Sequence, residues 1–149
     1  MKKAMLGMLA AFALILAGGT GVQAEEYQDT VKAFFSRIQE GKLEEAVNFI
    51  YGGSPYISLD SDAVRNVKTQ FLSLPNMVGP YRGNELITEK VVVGRYVYLY
   101  YFVMFDRQPL KFEFEFYKPV EKWILHSFAF DDKVNDEIIQ SVKSELFKK

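Results

Sequence analysis

No cysteine occurs among the 149 residues, and histidine and tryptophan occur once each. Without thiols the chain has no disulfide framework, no thiolate metal site, no cysteine nucleophile and no attachment point for a bacterial lipid anchor. A single histidine excludes the paired imidazoles of an HxxxH site, and no DxDxDG loop occurs. An excess of charge of one sign is missing too, since 18 Lys and Arg stand against 19 Asp and Glu. That balance leaves no basic field for a nucleic-acid backbone. Phosphate-binding glycine frames and the Gly-x-Ser-x-Gly elbow are likewise absent, and Gly52-Gly53 reads as a turn after a helix. Neither a metal nor an organic cofactor is expected.

What is present begins with an export signal. Lys2 and Lys3 precede a charge-free apolar run at residues 4–17, Gly18-Gly19 breaks it, and Val22-Gln23-Ala24 supplies small residues for a peptidase pocket. The run is shorter than the roughly 20 residues of a membrane span, which argues against a stable anchor. Residues 1–24 are therefore expected to be removed, giving a periplasmic or secreted domain of residues 25–149 with a net charge of −3. A chain of that size buries enough surface to fold as one domain without staples.

The apolar period then changes once. Val31, Phe34, Phe35 and Ile38 follow one helical face that stops at Gly41, and Leu43, Ala46, Val47 and Ile50 repeat it up to Gly52. A third helix carries Val64, Val67, Phe71 and Leu74, with Asp60 or Asp62 as its cap and Pro75 as its end. From Glu85 the spacing turns to that of strands: residues 85–93, 96–105, 110–118 and 122–130, joined by short turns. Asp131-Asp132 then caps a last helix with Val134, Ile138, Val142 and Leu146 along one side. Short connections imply an antiparallel meander, so the fold class is α+β: N-terminal helices on a curved antiparallel sheet of about four strands, plus a C-terminal helix.

A register follows if Phe105 faces Leu110 and Lys118 faces Lys122 across their turns. It sets Phe112, Phe114, Phe116, Tyr101, Ile124, His126 and Phe128 toward the helices. Tyr96, Tyr98, Tyr100, Phe102, Met104, Tyr117, Trp123 and Leu125 would face away.

The order of elements, together with Gly41-Lys42-Leu43-Glu44-Glu45-Ala46-Val47 and Lys122-Trp123-Ile124-Leu125-His126-Ser127-Phe128, resembles small secreted members of the nuclear transport factor 2-like superfamily. A cystatin-like single helix on a sheet accounts less well for three helices. The resemblance spans the expected mature chain and implies a sheet wrapped around a long helix, leaving a conical pocket that some members use catalytically and others only for binding. Pocket candidates are Tyr101, His126, Arg82 and Phe114. His126 is either a general base or a satisfied core histidine. The ketosteroid isomerases, relatives by fold, imply a hydroxyl role for Tyr101 toward a developing oxyanion, but the inward sheet face offers no carboxylate to accompany it. Arg82 at the rim would meet an anion.

Two functions compete. The first is an exported, non-catalytic binding or interaction protein taking a small apolar ligand. The second is a cofactor-free isomerase, dehydratase or hydrolase acting in the cone, which needs an acid-base pair beside an open cavity. The aromatic outer face, with Tyr98, Tyr100, Phe102, Tyr117 and Trp123, is larger than soluble monomers leave exposed, which implies a homodimer through it or cover from the C-terminal helix.

Intact-mass analysis of the exported protein is expected to give a chain beginning at Glu25. A mass that retains residues 1–24, or release only by detergent, contradicts the export signal.

Overall fold

The computed structural model describes residues 25–146 and 148, and the expected signal peptide at residues 1–24 lies outside them. Three helices, α1 (Glu26–Gln39), α2 (Leu43–Gly52) and α3 (Asp62–Val78), precede four strands, β1 (Tyr81–Val92), β2 (Tyr96–Phe105), β3 (Pro109–Tyr117) and β4 (Ile124–Asp131). A fourth helix, α4 (Val134–Leu146), closes the chain. The strands form one antiparallel meander in the order β1-β2-β3-β4, so the class is α+β as the apolar periods imply.

The helix starts and stops have local causes. The Gln28 side-chain oxygen accepts from the Glu25 backbone N–H at 3.2 Å, and Gly41, at φ 76°, ends α1 in a conformation other residues resist. Ser61, not Asp60 or Asp62, caps α3: its hydroxyl accepts from the Val64 N–H at 3.3 Å, while Asp62 sits inside the first turn and pairs with Arg65. Pro75 does not end α3. Leu74 and Val78 are both buried and hold the last turn in the core, and Arg107 donates to the Asn76 and Met77 carbonyls at 3.3 and 3.2 Å. Gly79, at φ 87°, then turns the chain; a Cβ there would lie 2.8 Å from that of Asp106. The hairpin between β1 and β2 has Val93 and Gly94 both at positive φ, 46° and 67°, a region in which valine is uncommon.

Alternation along β2 and β3 puts Val97, Leu99, Val103, Phe112, Phe114 and Phe116 on the helix side, all buried. Val103 pairs with Leu110, a two-residue shift from the expected register that leaves every side chain on its expected face. The β3–β4 pair differs. Glu115 pairs with Ser127 but Phe116 pairs with Leu125, so His126 is the extra residue of a bulge. Phe128 keeps its inward place, whereas the residues before the bulge change faces: Leu125 and Trp123 point in and are buried, Ile124 points out with Tyr117, and His126 is exposed. The bulge corrects the expected positions of both His126 and Trp123. Trp123 packs edge-on against Tyr27, with centroids 4.9 Å apart, and its indole N–H donates to Glu25 at 3.3 Å.

The layer between sheet and helices is filled by rings. Phe34 of α1 has no exposed surface and lies within 5.2–6.3 Å, centroid to centroid, of Phe128, Phe114, Phe35, Phe71 and Phe112. Phe34→Ala removes the ring common to all these pairs and leaves a cavity that they cannot close without losing their own contacts. Denaturant unfolding is expected to show a loss of about 3–5 kcal/mol. Tyr56→Ala, at a residue 82% exposed, is expected to stay within about 0.5 kcal/mol.

Candidate functional site

The four pocket candidates do not converge. Phe114 is fully buried among the rings, and Tyr101 is half-buried beside it, 5.0 Å from the Phe35 ring and 5.8 Å from that of Phe114. Burial pushes the Tyr101 hydroxyl up from its ordinary pKa, with Glu89 adding to the effect. Arg82 lies on the exposed start of β1 and grips Asp106 with two hydrogen bonds, at 2.5 and 3.0 Å. His126 is on the outer side, its ring edge-on to Tyr96 at 5.9 Å. Tyr101 and Phe114 therefore belong to the core, while Arg82 and His126 stand apart from it and from each other.

The outer sheet face is not a bare aromatic surface. Tyr96 bonds Glu115, Tyr98 donates to Glu113 at 2.5 Å, and Tyr100 donates to Glu137 of α4 at 2.9 Å. Each ring lies on the sheet with its hydroxyl on a carboxylate. Burial, reinforced by the Glu115 hydrogen bond and charge, pushes the Tyr96 phenol up to about 12. Tyr98 and Tyr100 are shifted upward by burial and by Glu113 and Glu137 respectively. At the centre is Lys111, 7% exposed, with its ammonium 2.7 Å from Glu137, 3.2 Å from Glu113 and 3.3 Å from Asp131. Burial pulls this ammonium toward neutrality, but the bonds to Glu137, Glu113 and Asp131 outweigh it and hold its pKa above the ordinary lysine value. The Lys111-Glu113-Glu115 alternation places these charges on the outer face, yet their link to α4 depends on Glu137, 26 positions beyond Lys111. Sequence spacing has no access to that link.

A second arrangement lies at the β3–β4 end of the sheet. The Arg95 guanidinium donates to the carbonyls of Lys118, Pro119 and Val120 at 3.1, 3.3 and 3.1 Å, fixing the turn that carries Pro119. From the other side, Tyr51 anchors the end of α2 by donating to the Phe128 carbonyl at 3.3 Å. The loop after α2 is then held by the Ser54 N–H on the Tyr51 carbonyl and the Ser54 hydroxyl accepting from Tyr56 N–H. Between turn and loop opens a cleft of about 520 Å³ lined by Ser54, Tyr56, Ile57, Tyr117, Ile124 and His126, with Pro119 and Leu125. Its walls are mostly apolar, and the Ser54, Tyr117 and His126 side chains supply polar atoms. No lining residue is a carboxylate. Neither the bulge that turns His126 and Ile124 toward this cleft nor the fold of the 54–57 loop has a signature in the apolar period.

Of the residues expected on the outer face, Tyr98, Tyr100 and Phe102 lie there, with the first turn of α4 against Tyr100 and Phe102. Tyr117 is 43% exposed at the cleft, and Trp123 is on the opposite, inner side. No family model, curated protein or solved structure matches this chain.

The tyrosine–carboxylate pairs make stability sensitive to alkali. A phenol whose pKa is raised by folding keeps its proton after the unfolded chain has lost its own, so unfolding becomes easier as pH rises. With an unfolded tyrosine near 10 and Tyr96 near 12, stability is expected to be level below about pH 10 and to fall progressively above it. Tyrosinate absorbance should lag behind that of a model peptide. Tyr96→Phe and Tyr98→Phe together should flatten the decline.

Proposed function

We propose that this chain is an exported, non-catalytic binding protein of the nuclear transport factor 2-like type, released after Ala24 to the periplasm or the exterior. Its ligand is a small molecule with an apolar, planar body and one hydrogen-bonding group. The order of three helices, a four-strand meander and a last helix supports the superfamily reading. Binding in the cone has less support than binding outside it, because Phe34, Phe71, Phe112 and Phe114 occupy that space without exposed surface.

The observation that carries the proposal is the pairing of this packed interior with the open cleft between Tyr56 and Tyr117. Rings and aliphatic groups there would take an apolar body, and His126 or Ser54 would orient its polar end. The isomerase, dehydratase or hydrolase alternative requires a base and its partner acid facing the reacting atoms. The cleft lining contains His126 and no carboxylate, so the binding reading is the better supported.

Anilinonaphthalene sulfonate serves as a probe, because its fused rings match the cleft walls. Saturable fluorescence enhancement with one site per chain is expected. Ile124→Glu, a charge set in the cleft wall, should weaken it at least tenfold, and His126→Gln should change affinity severalfold while the fold is retained. Binding indifferent to Ile124→Glu would move the site elsewhere. A turnover assay abolished by His126→Gln in a folded protein would give the catalytic alternative the advantage.

A further inference from the structure

The cleft beside His126 does not end at Tyr56. Tyr56, Pro119 and Ile124 also wall a second opening of about 340 Å³, completed by Pro55, Val120, Glu121 and Lys122. With three walls in common the two openings adjoin, and one trough leads from His126 and Ser54 to the turn between β3 and β4. Val120 is 69% exposed at its far end, and the Tyr56 ring stands open at the junction. The body of anything bound along it would be apolar.

The two ends of the trough differ in charge. At one end the His126 ring lies edge-on to Tyr96, whose hydroxyl bonds Glu115, so a carboxylate stands one ring behind the histidine. At the other end Lys122 is exposed and has no ion-pair partner among the described residues. Arg95 spends its hydrogen bonds on the carbonyls of Lys118, Pro119 and Val120, so no acid offsets its charge. The Lys118 ammonium lies 5.6 Å from the centre of the Trp123 ring and adds a third cation. Glu121, also on the trough wall, is the one acid in the turn. Three cations against one carboxylate make this end positive, in a chain whose residues 25–149 carry a net charge of −3.

We infer that the ligand of this trough is an amphiphilic organic acid, its apolar body lying between Tyr56, Pro119 and Ile124 and its anionic group at Lys122. The inference rests on the binding reading of the cleft and adds the charge and the direction of the ligand. An anion turned the other way would approach Glu115 and forgo Lys122 and Arg95. An ammonium at the turn would meet three cations for one carboxylate. Because Lys122 is exposed, the attraction is partly screened and sets direction and selectivity more than affinity.

Two dyes built on the same rings separate charge from apolar body: anilinonaphthalene sulfonate, and phenylnaphthylamine, which lacks the sulfonate. They differ in solubility, so the readout is how each affinity changes rather than which is larger. Lys122→Glu is expected to weaken the sulfonate about tenfold and to leave the neutral dye unchanged. Glu121→Gln should strengthen the sulfonate about threefold. Raising the ionic strength from about 0.02 to about 0.5 M should weaken the sulfonate severalfold and not the neutral dye. Both substitutions are at exposed turn positions, and retained binding of the neutral dye shows that the trough is intact. A sulfonate affinity unmoved by Lys122→Glu or by salt overturns the inference, as does one that falls in step with that of the neutral dye. In each of those cases binding that still depends on Ile124 leaves the cleft reading standing. Failure of both dyes to bind in an Ile124-dependent manner overturns the cleft reading and this inference with it.

Discussion

The packing of Phe34 against the sheet is the constraint from which the rest of the arrangement follows. Strict alternation in β3 commits Phe112, Phe114 and Phe116 to one side, and helical spacing commits Val31, Phe34, Phe35 and Ile38 to the facing side of α1. Rings of this size meeting from both layers leave no room for solvent between them, and their tilted and edge-on geometries interlock. The space between the helices and the sheet is closed by the chain's own side chains. No space for a ligand remains among these rings.

On that outside, the sheet solves a different problem. Three successive tyrosines of β2 would make an adhesive surface if their rings stood bare, but each lends its hydroxyl to a carboxylate on β3 or α4. Two of these carboxylates, Glu113 and Glu137, crowd with Asp131 around one ammonium, Lys111, whose burial is tolerable because three acids surround it. Removing that ammonium would leave Glu113, Asp131 and Glu137 to repel one another, so the same cation that neutralises the sheet also retains α4. Local alternation and a distant helix are joined at Glu137, which takes both the Lys111 ammonium and the Tyr100 hydroxyl.

How much of this is legible in the sequence depends on the range of the interaction concerned. The three N-terminal helices, the meander and the last helix follow from period alone, because each period expresses one buried face of one element. The inward set of β2 and β3 survives a two-residue slip in register, since slips by two preserve the face. Trp123 and His126 are lost to a slip by one: a bulge in β4 reverses the alternation, and it sets Trp123 on Tyr27 and Glu25, almost a hundred positions away. Pro75 misleads for a related reason, as burial of Leu74 and Val78 outweighs the missing N–H. The clasp on α4 and the cleft between Tyr56 and Tyr117 bring together segments whose spacing holds no local signal.

The apolar groups left open on the outer face lie at the two ends of the tyrosine row. Tyr96, Tyr98 and Tyr100 are each answered by an acid, whereas Phe102 at one end of β2 and Tyr117 with Ile124 at the far end are not. Near Phe102 the uncovered area continues onto the stripe of α4, and near Tyr117 it continues into the cleft behind Tyr56. A hydroxyl–carboxylate pair can stay wetted at the surface and keeps its ring committed to the sheet, so such pairs mark where the protein ends. Apolar groups without that pairing keep their hydration cost at the surface, so the ends of the tyrosine row are the least satisfied parts of the outer face.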